Sequence, residues 1–254
     1  MTSGLRPLVV IPARMASSRL PGKPLADIHG RAMIVHVWER AEAAALGPVV
    51  VAAAEQEIVD AVELAGGRAV LTRPDHPSGS DRAHEALEAI DPHGRHDVVV
   101  NLQGDLPTIE PAAVRAVVEP LAQPDVDIAT LVAPIRHADE RDDPNVVKAA
   151  VALMPDRTWG PALYFSRAPI PWGEGETYHH IGIYAFRRSA LEKFVQLPPG
   201  VLEQRERLEQ LRALENGMRI AAAVIDTVPL GVDTPADLDR ARDVVVQLER
   251  TGNS

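Results

Sequence analysis

Between Pro12 and Leu25 the chain reads PARMASSRLPGKPL, which sets Arg14, Arg19 and Lys23 within ten residues and includes no acid. Arginine offers a planar fork of donors and lysine a compact point charge; with the hydroxyls of Ser17 and Ser18 they suit a polyphosphate. The segment is not a Walker loop, because Gly22-Lys23 is followed by Pro24 instead of Ser or Thr. A solvated basic loop explains the same composition equally well. A second segment, Asn101-Leu102-Gln103-Gly104-Asp105-Leu106-Pro107, places a carboxylate just past an apolar run and beside a glycine that permits close backbone approach. A metal would meet a phosphate at such a place. Asp233, in GVDTP, is another acid of this kind, and two carboxylates suffice for one Mg²⁺, which takes few protein oxygens. Taken singly, Asp105 reads equally as a turn residue and Asp233 as a capping-region acid. A third segment, TRPDHPSGSDR (Thr72–Arg82), suits recognition of a base through backbone groups, or an N-cap for a helix from Arg82.

Other chemistries lack their signatures. There is no cysteine, HExxH, GxSxG or GxGxxG, and the adjacent His179 and His180 point to opposite sides of a strand.

The elements that must position these segments follow from hydrophobic pattern. Leu8–Ile11, Val49–Val51 and Val98–Val100 are continuous branched runs, the mark of strands buried on both faces. Met33, Ile34, Val37, Trp38, Ala41 and Ala45 recur at helical spacing, and Ile58 to Leu64 forms a second helix closed by Gly66-Gly67. Such strand–helix–strand units give a parallel sheet whose ligands sit beyond the carboxyl ends of the strands. The first two segments fall there. Farther on, strands are expected at 128–135, 146–153, 162–165, 181–186 and 220–228. Helices are expected at 202–214 and 235–248, the last with Thr234 as N-cap. The expectation is one continuous α/β domain over residues 1–254.

Composition bounds the partners. Against 36 Asp and Glu stand 26 Lys and Arg, so the net charge of −10 disfavours a nucleic-acid partner. No stretch approaches the 18 apolar residues of a membrane span, and the run Leu8–Ile11 is too short for a signal sequence. A soluble cytoplasmic protein is expected.

Six segments in order resemble the 3-deoxy-manno-octulosonate (Kdo) cytidylyltransferases, or CMP-Kdo synthetases. They are IPARMASSRLPGKPL (11–25), NLQGDLP (101–107), YFSRAPIPW (164–172), HIGIYAFRR (180–188), LEQLRALENGMRI (208–220) and GVDTP (231–235). The resemblance implies a glycosyltransferase-A-like three-layer α/β sandwich with a mixed, mainly parallel sheet. It implies a nucleotide-binding part over about 7–135, a sugar-binding and dimerisation part over about 136–230, and a C-terminal helix at 234–250. It also implies CTP and a sugar acid as substrates, Mg²⁺ as cofactor, a homodimer and a role in lipopolysaccharide biosynthesis. By the same resemblance Ala13, Arg14, Ser17, Arg19, Lys23, Arg73, Ser78, Gly79 and Gln103 bind CTP, and Asp105 and Asp233 carry the metal. Arg14, Lys23, Asp105 and Asp233 are the catalytic set, and Gln103, Arg167, His180, Tyr184, Glu209 and Gln210 match the sugar pocket.

Four positions depart from the family pattern. Leu106 stands where Glu is usual, Ala53-Ala54 replaces Thr-Asp, Ser80 replaces Thr, and only seven residues separate Trp172 from His180. These changes keep three alternatives open: a paralogue for a modified sugar acid or another acidic substrate, a weakly active nucleotide-binding paralogue, and an enzyme that consumes a nucleotide sugar. The cation-rich loop disfavours the last, since a free triphosphate asks for more positive charge than a diphosphate sugar.

Overall fold

The computed structural model describes residues 4–252. In chain order the elements run β1 (Pro7–Ala13), β2 (Asp27–Ile28), β3 (Arg31–Ala32), α1 (Met33–Ala43), β4 (Val49–Ala53), α2 (Gln56–Leu64), β5 (Ala69–Leu71), α3 (Gly79–Ile90) and β6 (Val98–Asn101). They continue as α4 (Pro111–Ala116), β7 (Ile128–Pro134), α5 (Ala138–Asp142), β8 (Lys148–Val151), β9 (Trp159–Ser166) and β10 (Tyr178–Arg187). The last are α6 (Arg188–Phe194), α7 (Val201–Glu206), α8 (Leu211–Glu215), β11 (Ile220–Val224) and α9 (Pro235–Gly252). The chain divides into two compact units.

The first unit takes residues 6–96, 101–114 and 229 onward. Its strands lie in the order β5-β4-β1, all parallel. Leu8–Ile11 and Val50–Ala53 are fully buried, as continuous apolar runs require when both faces of a sheet are covered. Helices α1 and α2 pack on β4, and α3 packs on β1. On α9, Leu238, Ala241 and Val245 recur at helical spacing and bury themselves with Ile28, Met33 and Val232. Thr234 caps α9 as expected: its Oγ1 accepts the Asp237 N–H, while the Asp237 carboxylate accepts the N–H groups of Asp233 and Thr234. Helix α3 begins at Gly79, earlier than the expected Arg82, because Ser78 Oγ accepts the N–H groups of Ser80 and Asp81.

The second unit takes residues 97–100 and 115–228, with Gly4 and Leu5. Its strands follow the order β6-β10-β7-β11-β9-β8, and β8 pairs again with Tyr178 and His179 of β10. The pairing is mixed: β11 runs parallel to β7, while β10–β7, β11–β9 and β8–β9 are antiparallel.

The strands expected at 162–165 and 181–186 extend to Trp159–Ser166 and Tyr178–Arg187, and three further elements are shorter or broken. The strand at 146–153 shortens to Lys148–Val151, and the Val146 carbonyl accepts a hydrogen bond from the Lys148 side chain. The strand at 220–228 ends at Val224, ahead of the polar pair Asp226-Thr227. The helix at 202–214 is two helices, α7 and α8, broken where Arg207 turns left-handed (φ 57°). Arg212 then reaches back to pair with Glu203, and Glu215 accepts the N–H groups of Leu202 and Glu203, so α8 staples α7.

Candidate functional site

In the first unit, two loops leave the carboxyl ends of strands and meet. The Leu102 N–H donates to the Val10 carbonyl, so the 101–107 loop runs beside the end of β1. Gly104 is required there: a Cβ would lie 2.9 Å from the Pro12 carbonyl oxygen and 3.3 Å from Ile34. The 12–24 loop turns at Gly22 in the left-handed region (φ 69°) and ties back through the Gly22 N–H to the Met15 carbonyl. The Met15 N–H in turn donates to the Glu55 carboxylate at 2.9 Å. Together the loops line a pocket of about 320 Å³ that includes Ala13, Arg14, Ser17, Arg19, Lys23, Gln103 and Asp105.

The charged groups of this pocket converge. Lys23 Nζ donates to Asp105 Oδ2 at 2.9 Å and to Asp233 Oδ1 at 3.0 Å, and Arg19 Nη2 donates to Asp233 Oδ2 at 3.0 Å. Burial works against the Lys23 ammonium, but the charge and hydrogen bonds of Asp105, then those of Asp233, carry its pKa above the ordinary lysine value. The Val232 N–H donates to the Asp105 carbonyl, so the two carboxylates are joined by backbone as well as through the ammonium.

A second pocket of about 240 Å³ shares Pro12, Ala13, Arg14, Gln103 and Asp105 with the first and adds His76, Ser78, Gly79 and Arg82. Arg82 is buried and donates to Thr72 Oγ1 and to the carbonyls of Arg73 and Pro74, which fastens the 72–74 loop to α3. Glu85 accepts from His76 Nε2 and from the Arg73 N–H. Burial pushes the Glu85 carboxyl up, but the His76 and Arg73 bonds outweigh it and hold the group below the ordinary carboxylate range. Two adjoining pockets, one cationic and one framed by a helix start and a ring, match the two ends of a nucleoside triphosphate.

The second unit gathers a different set. His180 is buried on β10, one residue ahead of a bulge between Ile181 and Tyr184. Thr130 Oγ1 lies 2.8 Å from the Ile183 carbonyl and 3.0 Å from His180 Nε2. The single hydroxyl proton serves a carbonyl, so Nε2 carries its own proton and donates to the Thr130 oxygen. Nδ1 is then left to accept from the Gln210 amide at 3.5 Å. The His180 ring sits edge-on to Phe165 at 4.7 Å and 5.6 Å from Tyr184. Burial, with a smaller contribution from His179, pushes His180 down to about 3. Burial and then the Glu209 charge raise the Tyr184 hydroxyl, so both rings are neutral at working pH. Arg167 is spent locally: its N–H donates to the Glu206 carboxylate, its Nε to the Glu206 carbonyl and its Nη1 to the Pro144 carbonyl.

Most residues singled out from sequence thus fall into two groups. Arg14, Arg19, Lys23, Gln103, Asp105 and Asp233 come together, with Ser78 and Gly79 in the adjoining pocket. His180, Tyr184, Glu209 and Gln210 form the other group. Arg73 lines neither pocket; it is exposed and faces Glu85 at 3.7 Å and Asp75 at 4.0 Å. Sequence reasoning missed Glu55, Glu85, His76 and Thr130. Glu55, the residue after Ala54, accepts the Met15 N–H. Leu106, at the family's Glu position, is buried. Among the described residues no group of three or more His, Asp and Glu side chains is disposed to hold a metal ion. The Asp105–Asp233 pair fits an ion that takes its remaining ligands from phosphate and water, as Mg²⁺ does.

Residues 8–220 match the family model described as cytidylyltransferase. The chain is 68% identical to a 3-deoxy-manno-octulosonate cytidylyltransferase of Rhodospirillum centenum, over 95% of each chain. It is 65% identical to the protein of the same name from Paramagnetospirillum magneticum, over 94% of this chain and 97% of that one. Among solved structures it is similar to CMP:2-keto-3-deoxy-manno-octonic acid synthetase complexed with CTP, with a TM-score of 0.87 and 42% identity over 95% of this chain and 99% of that one. A nucleotidyl transferase of Methanothermobacter thermautotroptrophicus shares the fold at 18% identity and a TM-score of 0.61, over 96% of this chain and 100% of that one.

Proposed function

The chain belongs to the cytidylyltransferase family, and on that premise we propose that it makes CMP-Kdo from CTP and Kdo, as a 3-deoxy-manno-octulosonate cytidylyltransferase. The anomeric hydroxyl of the sugar acid attacks the α-phosphorus of CTP. A P–O bond to the sugar forms, the bond to the β-phosphate oxygen breaks, and pyrophosphate leaves while the hydroxyl proton is lost to solvent. The observation that carries this reading is the junction at Lys23, where one ammonium that lines a cationic pocket holds two carboxylates. When the triphosphate enters, Arg14, Arg19 and Lys23 turn from carboxylate partners and solvent to phosphate oxygens. Asp105 and Asp233 are the residues that would hold Mg²⁺, which would supply positive charge against the phosphates. Phosphoryl transfer asks chiefly for such positioning and charge neutralisation.

The second unit supplies the sugar contacts in this reading. Tyr184, Glu209 and Gln210 meet hydroxyls, His180 meets the sugar or steadies Gln210, and Arg167 answers the carboxylate through its Nη2 and by exchanging the Pro144 carbonyl for it. The fold is the glycosyltransferase-A-like three-layer sandwich, and the enzyme works in the cytoplasm on a precursor of lipopolysaccharide. Its partner is a second copy of the chain. A groove of about 710 Å³ containing Met154, Trp159, Pro161, Leu163 and Met218 supports this, with Met154 and Leu163 largely exposed. Pyrophosphate release, measured for CTP, UTP, ATP and GTP against Kdo, amino-Kdo and sialic acid, tests the reading. Release is expected with CTP and Kdo and to depend on both; equal rates with every nucleotide, or no dependence on the sugar acid, would contradict it.

A further inference from the structure

Two polar side chains of the smaller pocket, Ser78 and Arg82, are already committed. Ser78 Oγ accepts two N–H groups of α3 and donates to Asp81, and Arg82 is consumed by Thr72, Arg73 and Pro74. His76 is different. It lines the pocket with only 7% of its surface exposed, and its Nδ1 is shielded from water with no hydrogen-bond partner. Its other nitrogen, Nε2, bonds the Glu85 carboxylate. An ionised carboxylate can only accept, so Nε2 carries the proton, and in the neutral ring Nδ1 is an unsatisfied acceptor. Glu85 is itself fixed, accepting the Arg73 N–H at 3.2 and 3.3 Å, so the tautomer is held by the loop and not by chance rotation. A buried acceptor without a partner costs stability unless a ligand satisfies it.

We propose that His76 is a specificity-determining residue that reads the nucleobase: its Nδ1 accepts the exocyclic amino group of cytosine, and Glu85 fixes the tautomer that makes it an acceptor. This rests on reading the smaller pocket as the nucleoside end of the CTP site. Cytosine presents an N–H donor at position 4. Uracil presents a carbonyl oxygen there, so two acceptors would face each other. Sites that pair a buried polar group with one ligand reject the mismatched ligand strongly.

The test is kcat/KM for CTP and for UTP, with the sugar acid saturating, in the wild type, His76→Ala and Glu85→Gln. In His76→Ala, kcat/KM for CTP is expected to fall about 10- to 100-fold while that for UTP holds or rises, because uracil loses only a repulsion. Glu85→Gln gives Nε2 a partner that can donate as well as accept, so Nδ1 can carry the proton. The CTP-to-UTP ratio should drop at least about tenfold there, with UTP improving in absolute terms. A purely structural role lowers both nucleotides alike; an unchanged ratio in both variants would overturn the proposal. If His76→Ala does not fold, Glu85→Gln decides alone. A wild type that uses UTP as well as CTP overturns the reading of the pocket itself, whatever the variants do.

Discussion

The two candidate sites are built on opposite physical plans. In the first unit the working groups are formal charges near the surface, paired with one another. The side chains of Arg19 and Asp233 are 66% and 47% exposed, and a pair so open is worth only about 0–1 kcal/mol. Such a pair exchanges partners at little cost, which is what the arrival of a triphosphate demands. In the second unit two neutral rings, His180 and Tyr184, stand with the buried Gln210 amide and a single carboxylate, Glu209, and the Thr130–His180 bond beside a β-bulge orients the histidine. On the proposed function, a charged ligand would be met by ions that can re-pair, and a ligand of hydroxyls by donors and acceptors whose direction is fixed beforehand.

The comparison breaks most visibly at Lys23. Lys23→Ala should lower kcat by about 10³-fold, since it removes transition-state charge compensation. Asp105→Ala and Asp233→Ala should lose most metal-dependent turnover. All three should melt near the wild-type temperature, because the side chains sit on loops outside the core. Loss of folding in any of them would mean that the cluster is a structural staple.

In the second unit the effects should appear in the KM of the sugar acid. Thr130→Val removes the hydroxyl that holds His180 and should raise that KM about tenfold, leaving the KM of CTP unchanged. Thr130→Ser, which keeps the oxygen, should restore it. Arg167→Ala should also raise the sugar KM, with Arg167→Lys recovering only part because a point charge replaces a fork. If the KM of CTP moves equally in these variants, the division of labour between the sites is wrong.

How far these sites could be read from sequence follows the same division. The cation loop and the acids at 105 and 233 announce themselves by charge and by position after apolar runs. The neutral site does not: nothing in the pattern of Thr130 marks it as the partner of a histidine fifty residues away, and the bulge that aims it is invisible to a period-two alternation. His180, Tyr184, Glu209 and Gln210 were reachable only through family resemblance. The helix at 202–214 misled for a related reason, since its periodicity is intact while a left-handed Arg207 splits it. Glu55 carries no sequence signal of its own, since its role is a backbone bond to a residue forty positions away.

The Met15–Glu55 contact yields a smaller effect. Glu55→Ala frees the Met15 N–H and should raise the KM of CTP about threefold to tenfold, whereas Glu55→Gln, which keeps an acceptor, should change it little. A separate effect is on stability and is set by pH. Buried His180 has its pKa depressed to about 3, so the folded state disfavours the proton that the unfolded state takes up near pH 6.5. Its contribution to stability is therefore complete above about pH 6.5 and declines as the pH falls from there toward 3. Denaturant titrations between pH 8 and 5 should show this decline in the wild type and less of it in His180→Asn.

The most direct test follows the phosphorus atoms. In a ³¹P NMR time course with CTP, Kdo and Mg²⁺, the α-phosphorus signal should be replaced by a single phosphodiester resonance as pyrophosphate appears in equal amount. Both changes should be absent without Kdo and abolished in Lys23→Ala. Accumulation of CMP in place of a phosphodiester, or pyrophosphate release that continues without the sugar acid, would contradict transfer of the cytidylyl group to Kdo.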